Sequence, residues 1–207
     1  MKLYYSKLSS SMAVHLVLEE IGKPYEAIQM DLDSQHQFTP EFLEINPKGR
    51  VPALVLDEGE KKVVLTEVPA ILSYLAQINP ELSLMPTDTL EFAKAQSFNA
   101  YLSSTVHVAH AHRRRGSRWS DCAECRTSMA AKVASNMSEC FAFIQAHYLK
   151  KPWVLGDSFS VCDAYLFTIS RWLEGDGVDI NIFPEIRRHA DAMLARPPIQ
   201  RIAALHC

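Results

Sequence analysis

Apolar positions change their spacing along the chain, and the change divides it in two. Leu3-Tyr4-Tyr5 is a short aromatic run that predicts a strand. Ser9-Ser10-Ser11 then offers helix-capping residues, and Ala13, Leu16, Val17, Glu20 and Ile21 follow at helical spacing. Gly22 fits the position just past a helix, where a positive φ carries no Cβ penalty. Tyr25–Met30 predicts a second strand, and residues 34–46 are polar and irregular around one helical turn at Glu41–Ile45. Val51–Leu56 and Lys62–Leu65 predict two more strands, joined as a hairpin through Asp57-Glu58-Gly59-Glu60. Helical spacing returns over Glu67–Ile78, at Ala70, Ile71, Tyr74, Leu75 and Ile78. The order β-α-β, then β-β-α, predicts a small α/β domain with a mixed sheet over residues 1–80.

After Asn79-Pro80 the strand signal disappears. Residues 80–87 hold Pro80 and Pro86 and predict a linker. Helical spacing then predicts helices near 88–114, 123–148, 160–173 and 184–195, with a short one after Pro198. The second domain, residues 88–207, is therefore expected to be all-α. Ser160-x-x-Asp163 predicts a capping box at the start of a strongly apolar helix, a feature of folding and not of chemistry.

Composition removes several classes of function. In 207 residues, 21 Lys and Arg face 24 Asp and Glu, and a net charge of −3 gives no support for a nucleic-acid surface. No apolar run approaches the roughly 18 residues of a membrane span, and Met1-Lys2-Leu3-Tyr4-Tyr5 does not read as a signal peptide. Five cysteines, at 122, 125, 140, 162 and 207, suggest reduced thiols in a cytoplasm. Seven glycines build neither GxGxxG nor GxxxxGK[ST], so dinucleotide and P-loop chemistry lose their main support.

Three turns could carry chemistry. Tyr5 to Ser11 joins a strand to a helix, where free N–H groups and the helix dipole favour an anion such as a thiolate; the serines could equally serve only as caps. Val51-Pro52 is a candidate cis bond whose preceding N–H and C=O would be free for a peptide-like ligand, against an ordinary trans proline opening a strand. In Leu65-Thr66-Glu67-Val68-Pro69 the acid could hold an ammonium group or simply favour the first helical turn.

Taken together these turns carry a resemblance. The start Met1–Ser6, His15, Asn46-Pro47-Lys48-Gly49-x-Val51-Pro52, Leu65-Thr66-Glu67-x-x-Ala70-Ile71, Tyr74-Leu75 and Gly156-Asp157-x-Phe159-Ser160-Val161-x-Asp163-Ala164-Tyr165-Leu166-Phe167 are similar in order and spacing to the cytosolic glutathione transferases, most of all the bacterial beta class. The resemblance spans the whole chain. It implies a thioredoxin-like N-terminal domain, an all-helical C-terminal domain, a homodimer, and glutathione bound in the cleft between domains as co-substrate. Val51 before Pro52 would meet the peptide backbone of glutathione, and Glu67 with the N–H of Val68 its γ-glutamyl end. A lysine that meets the glycyl carboxylate in the family has become Gln35, beside His36, with loss of a positive charge. Ser104 and His107 would face the site from the second domain. The family's asparagine aligns with Ala100, one position from Asn99, and one position is about 100° of helix rotation.

The departure that matters most is Ser10, where the beta class usually has cysteine. A hydroxyl cannot perform thiol–disulfide exchange, so the glutaredoxin-like activity of that class should be lost. Serine-type transferases use such a hydroxyl to stabilise the bound thiolate; Ser10 is the first choice here, then Ser9, with Tyr5 a substitute donor. The implied activity is conjugation of reduced glutathione to hydrophobic electrophilic small molecules, between the first turn and the helix around 100–115. Leu8, His107, His110 and Arg113 are candidates for contact with the electrophile. A glutathione-dependent isomerase or dehalogenase, or a non-catalytic binding protein on the same fold, are the competing expectations. Neither Cys122-x-x-Cys125 nor His107-x-x-His110-x-His112 is read as a metal or redox site, and no metal, nucleic-acid or membrane partner is expected. The run Arg113-Arg114-Arg115, with Arg118, is read as a solvated or dimer-facing helix end, the sharper alternative being that Arg113 reaches an anionic substrate group.

Overall fold

A computed structural model describes residues 1–58 and 61–206; Gly59 and Glu60 of the expected hairpin turn, and Cys207, lie outside the described residues. The sheet has strand order β2-β1-β3-β4. β1 (Lys2–Tyr5) pairs parallel with β2 (Glu26–Gln29) and antiparallel with β3 (Ala53–Glu58), which pairs antiparallel with β4 (Lys61–Thr66). The sheet is therefore mixed, as the β-α-β then β-β-α order requires. α1 (Ser11–Ile21) makes the parallel crossover and ends at Gly22, whose φ of 71° is left-handed. The two-residue period of the strands sorts their faces. Leu3, Tyr5, Leu54 and Leu56 join the main core with α1 and α3 (Val68–Gln77), while Ala53 and Met30 pack with Phe42 of α2 (Pro40–Ile45) on the other face.

Some boundaries differ from expectation. β2 is shorter than Tyr25–Met30, and β3 begins at Ala53, leaving Val51 and Pro52 outside the ladder. The 80–87 segment contains a helical turn at Pro80–Leu82 and buries Leu84 and Met85. The expected helix 88–114 is one path of three pieces: α4 (Thr89–Tyr101), a π-turn at Leu102–Val106, and α5 (His107–Arg115). The expected 123–148 helix breaks at Lys132 into α6 (Ala123–Ala131) and α7 (Val133–Tyr148). α8 (Val161–Ser170), α9 (Pro184–Leu194) and α10 (Pro197–Leu205) complete the all-helical part. Among the described residues no helix is long and apolar enough to cross a membrane.

Every residue of α8 is buried, so this helix is the axle of the second domain and packs against α1 of the first. Its N-terminus is fixed by Asp163. One carboxylate oxygen accepts from the Ser160 N–H (2.8 Å) and hydroxyl (2.7 Å); the other accepts from the Val154 N–H (2.8 Å) and contacts His189 Nε2 (3.0 Å). All four partners converge on one fully buried group.

A second junction joins the domains. His15 of α1 and His206, just past α10, meet at 3.0 Å with both rings buried and Tyr5 packed on both. Burial lowers the His15 pKa to about 4 against the opposing pull of Glu19. Burial, then His15 and the cations Arg171 and Lys7, lowers His206 to about 3.

Two outcomes follow. Asp163→Ala should lower stability by about 3 kcal/mol, read as a fall in Tm, because it strands buried donors; an unchanged Tm would contradict this role. The histidines have folded pKa values below the unfolded value of about 6.5, so the unfolded chain binds more protons between them. Stability should be full above about pH 6.5 and fall as pH drops toward 4. The slope of Tm against pH in that window should be shallower for His206→Gln than for the wild type, and parallel curves would refute the assignment.

Candidate active site

A cleft of about 1360 Å³ runs between the two domains, and its floor is the turn that joins β1 to α1. This turn has to satisfy its own backbone, and it does so with two of its serines. Ser11 Oγ accepts from the Ser6 N–H (3.0 Å), and the Ser9 hydroxyl donates to the Ser6 carbonyl (2.9 Å). Ser9 and Ser11 also meet each other at 2.6 Å, and the Ser11 N–H reaches Ser9 Oγ at 3.3 Å. Ser10 lies between them, lines the cleft, and is 6 % exposed. Its hydroxyl caps no backbone N–H among the described residues, although it stands at the N-terminus of α1. The positive end of the α1 dipole and an uncommitted hydroxyl thus share one corner of the cleft, although the N–H groups of Ser11, Met12 and Ala13 are bonded to Ser9 Oγ and to the Ser9 and Ser10 carbonyls.

The lip of that corner is Leu8, in the left-handed region at φ 54° and 64 % exposed. Its carbonyl accepts from Trp172 Nε1 at 3.1 Å, which ties the turn to the second domain. Val51 and Pro52, joined by a cis peptide bond, line the same cleft. The preceding turn is organised by buried Asn46, whose side-chain amide donates to the Arg50 carbonyl (2.6 Å). At Gly49 (φ 58°) a Cβ would lie 2.6 Å from the Phe38 ring, so glycine is required by both conformation and space. Glu67 enters α3 at φ 70° and its carboxylate holds the Lys48 ammonium, which also donates to Thr66 Oγ1 (2.7 Å). The acid expected to hold an ammonium group holds one from within the chain, at an exposed position.

The opposite wall comes from α5. His107 and His110 pack on Trp172, with His110 stacked at 4.2 Å and 21°. His110 Nδ1 meets the fully buried Asp176 carboxylate at 2.7 Å, and Arg113 Nε lies 3.2 Å from its other oxygen. The Arg113 guanidinium rests against Gly175, where a Cβ would come within 2.6 Å of it. His110 and Arg113 line the cleft but spend their polar groups on Asp176, so they first hold the wall together. His107 is lowered to about 4 by burial and then by the neighbouring His110, Arg115, Arg118 and Arg50. It is a neutral imidazole at pH 7.

Ser10, Ser9, Leu8, Val51, Pro52, Glu67, Val68, His107, His110 and Arg113 are therefore brought to one cleft. Three expected residues do not line it. Tyr5 points into the core between His15 and His206, because it belongs to the face of β1 that packs on α1. Gln35 lies outside, at a left-handed residue before a short helical turn. Ser104 donates to the Ala100 carbonyl at 2.8 Å, and Ser103 lines the cleft instead. Both lie in the π-turn, and Ser103, four positions before His107, is nearer its face than Ser104, three before it. Asn99 is fully buried in α4, away from the cleft. Cys122 and Cys125 are exposed at the start of α6, where Cys122 Sγ accepts from the Cys125 N–H; neither lines the cleft. Trp119, Trp172, Arg50, Arg115 and Arg118 line it and were not singled out as ligand contacts. The Arg113–Arg115 run with Arg118 was the visible signal, read as a solvated helix end.

Comparison with known proteins agrees with this architecture. Residues 2–77 match the glutathione S-transferase N-terminal domain and residues 105–197 the glutathione S-transferase C-terminal domain. The chain is 29 % identical to glutathione S-transferase GstA of Escherichia coli O157:H7, over 97 % of this chain and 96 % of that protein. It is 30 % identical to maleylacetoacetate isomerase of Pseudomonas aeruginosa, over 97 % and 94 %. A glutathione transferase homologue from Sulfitobacter, solved with bound glutathione, superposes with a TM-score of 0.93 at 41 % identity, covering 99 % of this chain and 97 % of the other. The beta-class transferase of Sphingomonas chungbukensis superposes at 0.85 with 31 % identity, covering 100 % and 98 %. With a thioredoxin-like sheet, an all-helical second domain and both halves matched, the chain belongs to the glutathione S-transferase family.

Proposed function

We propose that this protein conjugates reduced glutathione to small electrophiles, with the Ser10 hydroxyl and the α1 N-terminus holding the thiolate. The observation that carries this reading is the division of labour in the serine turn: Ser9 and Ser11 are bonded within it, and Ser10 caps nothing and lines the cleft. A hydroxyl donor and the positive end of a helix dipole lower a thiol's pKa by favouring its anion. The cysteine end of glutathione sits at Ser10, its peptide backbone along Val51, and its γ-glutamyl end at Glu67 and the Val68 N–H. There Glu67 exchanges the Lys48 ammonium for that of the ligand, and the start of α3 meets the α-carboxylate. Similar proteins solved with glutathione bound share this fold at 41 % and 31 % identity. Family membership also supports a homodimer and a cytoplasmic setting. With serine at position 10, the turn has no thiol for disulfide exchange.

Glutathione-dependent isomerisation is the second reading. It is favoured by the 30 % identity to a maleylacetoacetate isomerase along nearly the whole chain. It uses the same thiolate, which would add to the substrate and leave again.

Ser10→Ala should lower kcat/KM for conjugation to a chloronitroaromatic by about 10- to 100-fold, the worth of one hydrogen bond to a charged group. Ser9→Ala should act mainly on Tm. A fully active Ser10→Ala enzyme would overturn the serine assignment. Glu67→Gln should raise the KM for glutathione about tenfold with little change in kcat, because it removes binding remote from the reacting sulfur; a lowered kcat at unchanged KM would contradict that placement.

A further inference from the structure

Five arginines find an acid: Arg187, Arg188, Arg196 and Arg201 each hold a carboxylate at 2.7–3.1 Å, and Arg113 sits against buried Asp176. Arg126 donates to the carbonyls of Ser120 and Asp121. Among the described residues, Arg50, Arg115 and Arg118, like Arg114 beside them, have no carboxylate within 4 Å, and all line the same cleft. They arrive from both domains: Arg50 from the loop before Val51, Arg115 from the end of α5, and Arg118 from the turn that follows. Four acids line the cleft: Glu67 is engaged by Lys48 and Asp31 by Ser34, while Asp33 and Glu174 lie more than 4 Å from these arginines. His107, between these cations, is neutral and adds an uncharged hydrogen-bonding group.

Gathering like charges is unfavourable, and these arginines, exposed at the mouth of the cleft, stand close enough to feel one another. Partial desolvation and the facing arginines depress both Arg115 and Arg118. The planar guanidinium fork matches a carboxylate in paired hydrogen bonds, and forks from two domains can grip one carboxylate from both sides. Trp119, also in the cleft, supplies a flat apolar surface beside them.

We propose that Arg50, Arg115 and Arg118 form an anion site across the cleft that selects a second substrate carrying a carboxylate, so that the electrophile is acidic and not simply hydrophobic. The proposal rests on the transferase reading above and narrows its substrate class. The carboxylate docks on the arginines, which holds the electrophilic carbon toward Ser10, where the glutathione thiolate attacks. For a chloronitroaromatic, the sulfur–carbon bond forms, chloride leaves with the bonding pair, and no oxidant or reductant is needed.

The test compares 4-chloro-3-nitrobenzoate with its methyl ester, each rate divided by its uncatalysed rate with glutathione. The wild type should favour the acid by at least tenfold in kcat/KM, less so at high ionic strength. In the Arg115→Gln/Arg118→Gln double variant the acid-to-ester ratio should fall at least tenfold, with partial recovery in Arg115→Lys/Arg118→Lys. A wild-type ratio at or below one, or a ratio unchanged in the variants, overturns the proposal. So does a variant whose only change is a higher KM for glutathione, since the arginines would then serve the glycyl carboxylate. If neither compound is conjugated, the transferase reading fails. Binding of acid and ester, followed by quenching of Trp119 and Trp172 fluorescence, then decides the anion site by the same ratio.

Discussion

The cleft depends on how one strand-to-helix turn satisfies its own backbone. β1 ends at Tyr5 and α1 begins at Ser11; the Ser9 and Ser10 carbonyls take the first N–H groups of α1, and the backbone of Ser6 and Leu8 needs other partners. Ser9 and Ser11 fold back onto Ser6, and Trp172 of the second domain takes the Leu8 carbonyl. These bonds hold Leu8 in a left-handed conformation, present Ser10 to the cleft, and anchor the first domain to the second. The chemical freedom of Ser10 is thus a consequence of its neighbours being occupied.

The opposite wall is organised by the same economy. Asp176 is fully buried and would be intolerable as a lone charge, so His110 and Arg113 converge on it. Their convergence fixes the rings of His107 and His110 against Trp172, the residue that also holds Leu8. One tryptophan therefore couples both walls. Beyond this neutralised core the wall turns strongly cationic, with Arg115 and Arg118 facing Arg50 across the opening. A cleft that is polar and hydroxyl-lined at one end and cationic at the other suits a thiolate nucleophile and an acidic acceptor.

Much of this was legible in the sequence, because the relevant signals are local. Gly22 marked the end of α1, the serine cluster marked its start, and the short aromatic run Leu3–Tyr5 and the apolar run Val51–Leu56 marked the sheet. Ser160-x-x-Asp163 announced the capping box of α8, though not that Val154 and His189 would share its carboxylate. The misreadings were matters of rotation and pairing. Ser104 was placed on the cleft by the family resemblance, and in the π-turn it is Ser103 that lines it. Tyr5 and Ser10 are close in sequence but lie on opposite sides of the first strand's end, one in the core and one in the cleft. The arginine run looked like a solvated helix end because sequence cannot say which arginine finds an acid. Arg113 did; Arg115 and Arg118 did not.

The central claim is that the Ser10 hydroxyl stabilises the glutathione thiolate, and the thiol pKa of bound glutathione tests it most directly. Ultraviolet absorbance of the thiolate across a pH titration of the binary complex reads this pKa without any electrophile. The account predicts a value well below that of a free thiol in the wild type, and a rise of about one unit or more in Ser10→Ala, equivalent to about 1.4 kcal/mol. An unchanged pKa in Ser10→Ala would contradict it.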